Sequence, residues 1–153
     1  MSIRRRRVLT GGMAAAVLGF TARTGAQSSR LTDEEHANLK VVEAFVAAWN
    51  AKDVAKMTSF LSEDARFSAG PIGKFAPLKP AKAILEPFLG RLASVKMTVK
   101  PGSPAARGPM VTHERTDEMK TLDGSTSASG TYFGVFGLRD KKIVDFIDFQ
   151  VSS

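Results

Sequence analysis

Residues 112–120 read THERTDEMK and carry a cation and an anion two positions apart, at Arg115 and Asp117. Side chains alternate between the faces of a strand, so both charges share a face with Val111 and Met119, while the other face is uniformly polar. This predicts that Arg115 and Asp117 point inward, where an unpaired charge is unfavourable. A hydrogen-bonded pair at the bottom of an apolar pocket would be able to transfer protons. A surface cross-strand pair, with the two faces exchanged, is the alternative.

A second carboxylate comes from the last apolar stretch, KIVDFIDFQV, at residues 142–151. Asp145 and Asp148 face opposite sides of this predicted strand, and both sides carry apolar residues, so periodicity leaves open which of the two points inward. Two carboxyl groups in a dry pocket have their pKa values pushed apart by desolvation and mutual repulsion, which provides an acid and a base at one pH. These residue types are those of general acid–base catalysis.

Three helices are predicted before the strands that carry these charges. Thr32 and Glu35 form the capping-box pattern at the start of the first helix, and Asp53 is the predicted N-cap of the second, DVAKMTSFL. The third, AKAILEPFLGRL, contains Pro87, which removes a hydrogen-bond donor and predicts a break or kink. Apolar residues at helical spacing form stripes on the first and third helices: Leu39, Val42, Phe45, Val46 and Trp49, and then Ile84, Leu85, Phe88, Leu89 and Leu92.

A short strand is predicted around residues 65–69, and β-type signals continue from residue 94 onward. Four further strands, SVKMTVK, PMVTHERTDEMKT, GTYFGVFGL and KIVDFIDFQV, are separated by the turn-rich stretches PGSPAARG, LDGSTSAS and RDKK. Helices followed by antiparallel strands indicate an α+β fold with the helices on one face of a sheet. The chain of 153 residues is long enough for one domain with a sizeable core.

The first 26 residues have the order of an export signal. Four arginines, Arg4 to Arg7, precede an apolar run at residues 8–20, and small residues close the segment at Thr24-Gly25-Ala26. The arginine pair followed by Val8 and Leu9 indicates a twin-arginine-type signal, so we expect residues 1–26 to direct export to the periplasm or beyond. Residues 27–31 are a predicted linker and 32–153 the domain. A basic nucleic-acid-binding arm is the alternative.

The high positive charge depends on this segment. The formal net charge is +7, with 22 Lys and Arg against 15 Asp and Glu. Residues 1–26 hold five of the basic residues and none of the acidic ones, so their removal leaves 17 against 15, a charge of +2. We therefore expect neither a nucleic-acid partner nor a membrane-bound mature protein. The apolar run is also too short for a span of roughly 20 residues.

The chain has no cysteine and two histidines, His36 and His113. It therefore has no disulfide, no thiol nucleophile and no thiolate metal site, and we predict neither a metal nor a cofactor. His36 is predicted on a solvent-facing flank of the first helix. His113 shares the face of Arg115 but lies nearer the start of the strand, where it is either a titrating partner or a satisfied or partly exposed histidine.

Residues 33–151 resemble the limonene-1,2-epoxide hydrolase family, within the SnoaL-like and nuclear-transport-factor-2-like (NTF2-like) fold. The resemblance rests on NLKVVEAFVAAWNAKDVAKMTSFLSEDARF, ERTD at 114–117, GVFGL at 134–138 and KIVDFIDF at 142–149; ERxD, GVF and the final aspartate are its specific part. It implies an α+β cone, in which a curved mixed or antiparallel sheet and about three helices enclose an apolar pocket. It also implies a homodimer paired across the open sheet face.

The resemblance also implies roles for the charged residues in a one-step opening of an epoxide, without a covalent intermediate. Asp117 would be the general acid that protonates the epoxide oxygen, and Asp148 the general base that deprotonates the attacking water. Arg115 would lie between the two carboxyl groups and hold them in opposite protonation states.

Two positions depart from the pattern of that family. Its tyrosine and asparagine, which hold the attacking water, are replaced by Phe67 and Ala69, as judged by the spacing from SEDARFSAGP. Tyr132, the only tyrosine, is a candidate to take over part of this role; a tyrosine at the sheet edge with its hydroxyl in solvent is the alternative.

The predicted function is a hydrolase that adds water to the epoxide of a small apolar substrate. The alternatives are a SnoaL-like ligand-binding protein that has lost the water site, and an isomerase or cyclase that shuttles a proton without water. Side chains predicted to line the pocket, for each of which ordinary core packing is the alternative, are Val46, Trp49, Phe67, Leu85, Leu89, Met119, Phe133 and Phe146.

Overall fold

A computed structural model of the protein describes residues 30–72 and 76–152. The predicted export signal, residues 1–26, and most of the predicted linker lie outside these described residues. No helix among the described residues is both long and apolar enough to cross a membrane.

The first helix, α1 (Asp33–Asn50), begins at the predicted capping box. The Glu35 amide donates to Thr32 Oγ1 at 3.1 Å, and the Thr32 amide donates to Glu35 Oε2 at 2.8 Å. Glu35 also anchors the helix to the sheet, because its Oε1 accepts from the Gly108 amide at 2.9 Å. The predicted stripe faces the core, with Val42, Phe45, Val46 and Trp49 buried. The second helix, α2 (Val54–Ser59), has the predicted N-cap, Asp53.

The third helix, α3 (Ala81–Gly90), continues through Pro87 to Gly90, so of the predicted break or kink the break is wrong. Proline removes one backbone donor from the helix. Ala81, Leu85 and Leu89, spaced four residues apart on one side of α3, are almost inaccessible to solvent, and their packing against the core holds the helix together across the proline.

Seven strands form one mixed sheet in the order β2-β1-β7-β6-β5-β3, with β4 paired to β5. β1 and β7 run parallel, and the other pairs are antiparallel. The α+β prediction with three helices is confirmed; β2 and β4 were not predicted, because they are only two and three residues long. The strands are β1 (Leu61–Pro71), β2 (Lys79–Pro80), β3 (Leu92–Val99), β4 (Ala105–Arg107), β5 (Met110–Thr121), β6 (Ser127–Arg139) and β7 (Lys142–Ser152).

The core lies between the helices and the inner face of the sheet, the face that the helices cover. Phe136 and Phe146 stack there with ring centroids 4.5 Å apart, and Phe45 of α1 packs edge-on against both. This aromatic cluster lies beside the charged residues, since the ring centroid of Phe146 is 5.7 Å from Arg115 Cζ.

Candidate active site

Arg115 and Asp117 lie on the inner face of β5, as the alternation of the sequence predicts. Arg115 is 1% exposed and Asp117 4%, whereas Thr116 and Glu118 are exposed on the outer face. The alternative of a surface cross-strand pair is therefore wrong. His113, on the same face, is buried as well.

Arg115 bridges two buried carboxylates. Its Nε donates to Asp117 Oδ1 at 2.8 Å and its Nη2 to Asp117 Oδ2 at 3.0 Å. On its other side, Nη1 donates to Asp148 Oδ1 at 2.8 Å and Nη2 to Asp148 Oδ2 at 2.7 Å. Each carboxylate is thus held by two hydrogen bonds, in the bidentate geometry that a planar guanidinium favours.

Asp148 is the inward-facing aspartate of β7, and Asp145 faces outward. Asp148 is buried, whereas Asp145 accepts a 2.9 Å hydrogen bond from Arg66 Nε at the surface. A register shift between Gly137 and Leu138 in the pairing of β6 with β7 inserts one extra residue in β7, so Ile143 and Phe146 are both buried. This bulge breaks the two-residue period, which is why periodicity alone left the choice open.

Burial dominates the electrostatics of the cluster. It raises the pKa of Asp148 to about 6 against the opposing charge and hydrogen bonds of Arg115, and the nearby Asp117 adds to the rise. Burial likewise raises the pKa of Asp117, again opposed by Arg115. For Arg115 itself, burial favours the neutral form, but Asp148 and Asp117 outweigh it and raise its pKa. With one proton on the two carboxyl groups the cluster is neutral, and that proton belongs to the coupled pair.

Both carboxylates line a cavity of about 170 Å³. Among the residues predicted to line a pocket, Trp49, Phe67, Leu85 and Met119 do so here. Several lining residues were not predicted. Ile84 and Phe88 lay on the predicted stripe of α3. Val95 and Met97 of β3 are the register partners of Met119 and Asp117 in β5. The complete lining is Trp49, Phe67, Ala69, Ile84, Leu85, Phe88, Val95, Met97, Asp117, Met119, Tyr132 and Asp148.

Four residues predicted to line the pocket lie elsewhere. Leu89 and Phe146 are buried in the core and are not among the residues that line the cavity. Val46 is buried and borders a separate groove beneath α1. Phe133 is 39% exposed, because its register partner is Glu114 on the outer face of the sheet. The prediction that these four line this cavity is therefore corrected.

Tyr132 lies on the inner face directly opposite Arg115 in the pairing of β5 with β6. Its ring centroid is 5.6 Å from Arg115 Cζ, and the half-buried side chain lines the cavity. Burial raises the pKa of Tyr132, and the two carboxylates add to the rise. Its hydroxyl therefore keeps its proton and is able to donate a hydrogen bond into the cavity.

Phe67 and Ala69 line the cavity on the side of β1. β1 runs beside β7, with Phe67 opposite Phe146 and Ala69 opposite Asp148. Neither side chain has a donor or an acceptor, so the wall next to Asp148 is apolar. Among the described residues, no three His, Asp or Glu side chains are grouped as they would be around a metal ion.

The chain belongs to the SnoaL-like domain family, whose model matches residues 42–146. The predicted superfamily is thereby confirmed. No curated protein matches the chain at a significant level.

Solved structures share this fold. An LEH-like epoxide hydrolase of M. tuberculosis is 25% identical, with a TM-score of 0.61 over 76% of this chain and 84% of that one. Bal32a, from a soil-derived mobile gene cassette, is 17% identical, with a TM-score of 0.64 over 77% and 92%. A proposed polyketide cyclase of Xanthomonas campestris pv. campestris is 18% identical, with a TM-score of 0.60 over 76% and 91%. The similarity to Bal32a and to the proposed polyketide cyclase is a similarity of fold alone.

Proposed function

We propose that the protein hydrolyses the epoxide of a small apolar substrate to a vicinal diol. The observation that carries the proposal is one guanidinium bridging two carboxyl groups that both face the same apolar cavity. An enzyme that opens an epoxide with water needs a proton donor for the leaving oxygen and a base for the water, and two carboxyl groups that share a proton supply both. The 25% identity to an LEH-like epoxide hydrolase adds support.

In the proposed reaction, which runs above pH 6, the proton that the two carboxyl groups share lies on Asp117, and Asp148 is ionised. A water oxygen attacks one epoxide carbon while Asp148 takes a proton from that water. The carbon–oxygen bond of the epoxide breaks, and its oxygen takes the proton of Asp117. The product is a diol with one oxygen from water, and the carboxyl groups regain their starting states by exchanging protons with solvent. Arg115 stays charged throughout and keeps both carboxyl groups in place.

The cavity limits the size and polarity of the substrate. Its volume of about 170 Å³ is close to that of an engineered apolar cavity, about 150 Å³, that binds benzene. Its walls are otherwise apolar side chains such as Leu85 and Phe88. We therefore expect epoxides on compact hydrocarbon frames, such as styrene-type or small terpene epoxides.

The proposal needs a group that holds the water, since Phe67 and Ala69 do not. We infer that Tyr132 serves this purpose together with Asp148, because its hydroxyl-bearing ring lines the same cavity beside the Arg115 bridge. Tyr132→Phe is then expected to lower the rate of hydrolysis about tenfold while leaving substrate affinity nearly unchanged.

The test is incubation of the protein with such epoxides in ¹⁸O-labelled water, followed by mass spectrometry of the products. Asp117→Asn and Asp148→Asn are each expected to lower the rate of diol formation by about 10² to 10⁴. Asp145→Asn is the matched control, because Asp145 lies on the same strand but faces outward. Labelled diol formation that survives both inner substitutions, or its absence with every epoxide tried, would reject the proposal.

Isomerisation or cyclisation is the second candidate, and the apolar side chains of Phe67 and Ala69 favour it. A carboxylate would remove a proton from a bound substrate and its partner would return one elsewhere, with no water consumed. A proposed polyketide cyclase shares this fold. In the same experiment this reaction gives an isomer of the substrate that carries no ¹⁸O, because no water is added.

A further inference from the structure

Arg115 has more donors than its two carboxylates use. A guanidinium presents five N–H groups, and the Asp117 and Asp148 carboxylates accept four of them. The remaining N–H belongs to Nη1, which lies 3.2 Å from His113 Nε2. With this contact every N–H of a side chain that is 1% exposed has an acceptor.

The contact requires one particular form of the imidazole. Nε2 accepts a hydrogen bond only when His113 is neutral and its proton is on Nδ1. Burial and the positive charge of Arg115 both lower the pKa of His113, to about 4, so the ring is neutral around pH 7. His113 also borders the groove of about 380 Å³ beneath α1, together with Val46 and Glu43.

The fold leaves room for this contact at Gly134, the register partner of His113 in β6. A Cβ at position 134 would lie 2.7 Å from Arg115 Nη1, a distance that real Cβ atoms essentially never show, and 3.0 Å from His113 Nε2, which is tighter than most real Cβ contacts. The imidazole is held from the other side by Phe136, whose ring centroid is 5.1 Å away at an interplanar angle of 74°. The imidazole and the guanidinium therefore have little freedom to move relative to each other.

We propose that His113 is a positioning residue that accepts the fifth N–H of Arg115 and thereby holds the guanidinium in the plane that bridges Asp117 and Asp148. Without this acceptor a buried donor would be left unpaired, which is unfavourable, and the guanidinium would turn or the site would admit water. The proposal concerns how Arg115 is held and does not depend on which reaction the cavity performs.

The test compares two amides of different reach. In His113→Gln the side-chain oxygen extends about as far as Nε2, so it is able to accept from Nη1. In His113→Asn the oxygen ends near the position of Nδ1 and falls short of Arg115. His113→Phe keeps the ring and its packing on Phe136 but removes the acceptor. If the protein hydrolyses epoxides, kcat should fall about ten- to a hundredfold in the Asn and Phe variants, with KM within about twofold, and the Gln variant should recover most of the rate.

A second measurement is independent of catalysis. Side-chain ¹⁵N NMR of the wild-type protein at pH 6.5 should show His113 as the neutral Nδ1–H tautomer, and a slowly exchanging Arg115 Nη signal. His36→Gln assigns the spectrum, because His36 is the only other histidine. The Arg115 signal should persist in His113→Gln and broaden by exchange in the Asn and Phe variants.

The two measurements separate this proposal from the proposed function. An inactive protein that shows the Nδ1–H tautomer and the protected Arg115 signal supports the positioning role and rejects epoxide hydrolysis. A charged His113 or an Nε2–H tautomer at pH 6.5 overturns the positioning role. Equal Arg115 exchange in the Gln, Asn and Phe variants overturns it as well.

Discussion

Two arginine–aspartate pairs share strand β7 and lie on opposite faces of the sheet. On the outer face Arg66 Nη2 is 2.8 Å from Asp145 Oδ1, and on the inner face Arg115 Nη2 is 2.7 Å from Asp148 Oδ2. The lengths are almost the same, but the exposed fractions of the side chains are 55% and 31% outside against 1% and 8% inside. The length of the ion pair alone therefore does not tell how much either pair contributes to stability.

Burial makes the difference between the two pairs. The outer pair exchanges its partners freely for water, and such pairs contribute about 0–1 kcal/mol to stability. The inner arginine has no such exchange available, so it requires two carboxylates and an imidazole to satisfy its five donors. A buried ion pair of this kind is seldom the most stable choice for a core. We infer that the inner cluster is kept for chemistry, at the expense of stability.

The largest expected difference between the two pairs is in the free energy of unfolding when the arginine of each is removed. Arg115→Met leaves two carboxyl groups buried without a cation, and should lower the free energy of unfolding by about 3–5 kcal/mol at pH 7. Arg66→Met should lower it by less than about 1 kcal/mol. Urea unfolding followed by circular dichroism measures both. Similar losses in the two variants would contradict the distinction drawn between the faces.

A smaller effect concerns pH. Asp148 has an ordinary pKa of 3.8 and keeps its proton to about pH 6 when folded, so its contribution is full below pH 4 and is lost as the pH rises through 6. His113, which faces Arg115 and borders the groove with Glu43, has an ordinary pKa of 6.5 lowered to about 4. Its contribution is present above pH 6.5 and is lost as the pH falls through 4.

These two contributions, each up to about 3 kcal/mol, oppose each other between pH 4 and 6. Relative to wild type, the stability of Asp148→Asn should therefore rise with pH over this range, and that of His113→Gln should fall. Urea titrations at pH 4, 5 and 6 measure the slopes. Asp145→Asn is the control and should change the free energy of unfolding by less than about 1 kcal/mol. Slopes of the same sign in the two inner variants would contradict the burial argument.

Substitutions on the outer face of the sheet are expected to have the smallest effect on the stability of the single chain. Phe133 and Val151 are exposed there beside the half-buried Val135 and Ile147, and we propose that this face pairs two copies of the chain, as the family resemblance implies. Phe133→Glu should then shift the protein to monomers in sedimentation velocity. Leu122→Glu, at an exposed leucine of the β5–β6 turn, should not. A wild-type protein that is monomeric at tens of micromolar would reject the pairing.

Much of the framework could be predicted from local chemistry. The capping box of α1 and the Asp53 cap of α2 are contacts between residues three positions apart, so the sequence determines them directly. The inner face of β5 was also predictable, because its other face is uniformly polar and only one assignment buries Val111. A strand with one polar face carries its orientation in its own residues.

The parts that could not be predicted depend on contacts between distant residues. Periodicity could not choose between Asp145 and Asp148, because the choice depends on a bulge in the pairing of β6 with β7 that no local pattern records; only the family resemblance indicated Asp148. Phe133 was assigned to the wrong face because β6 has aromatic residues at adjacent positions and therefore lacks a clear alternation. At Pro87 the local rule predicted a break, and the packing of Leu85 and Leu89 overrode it.

The parallel pairing of β1 with β7 has a consequence for redesign. It places Ala69 beside Asp148 and Phe67 beside Phe146 on one wall of the cavity, so new hydrogen-bonding groups could be installed there without altering the backbone. Phe67→Tyr with Ala69→Asn would convert this wall into one that holds a nucleophile. If the chain hydrolyses epoxides as proposed, these two side chains alone would alter how firmly the water is held, while Arg115, Asp117 and Asp148 stay unchanged.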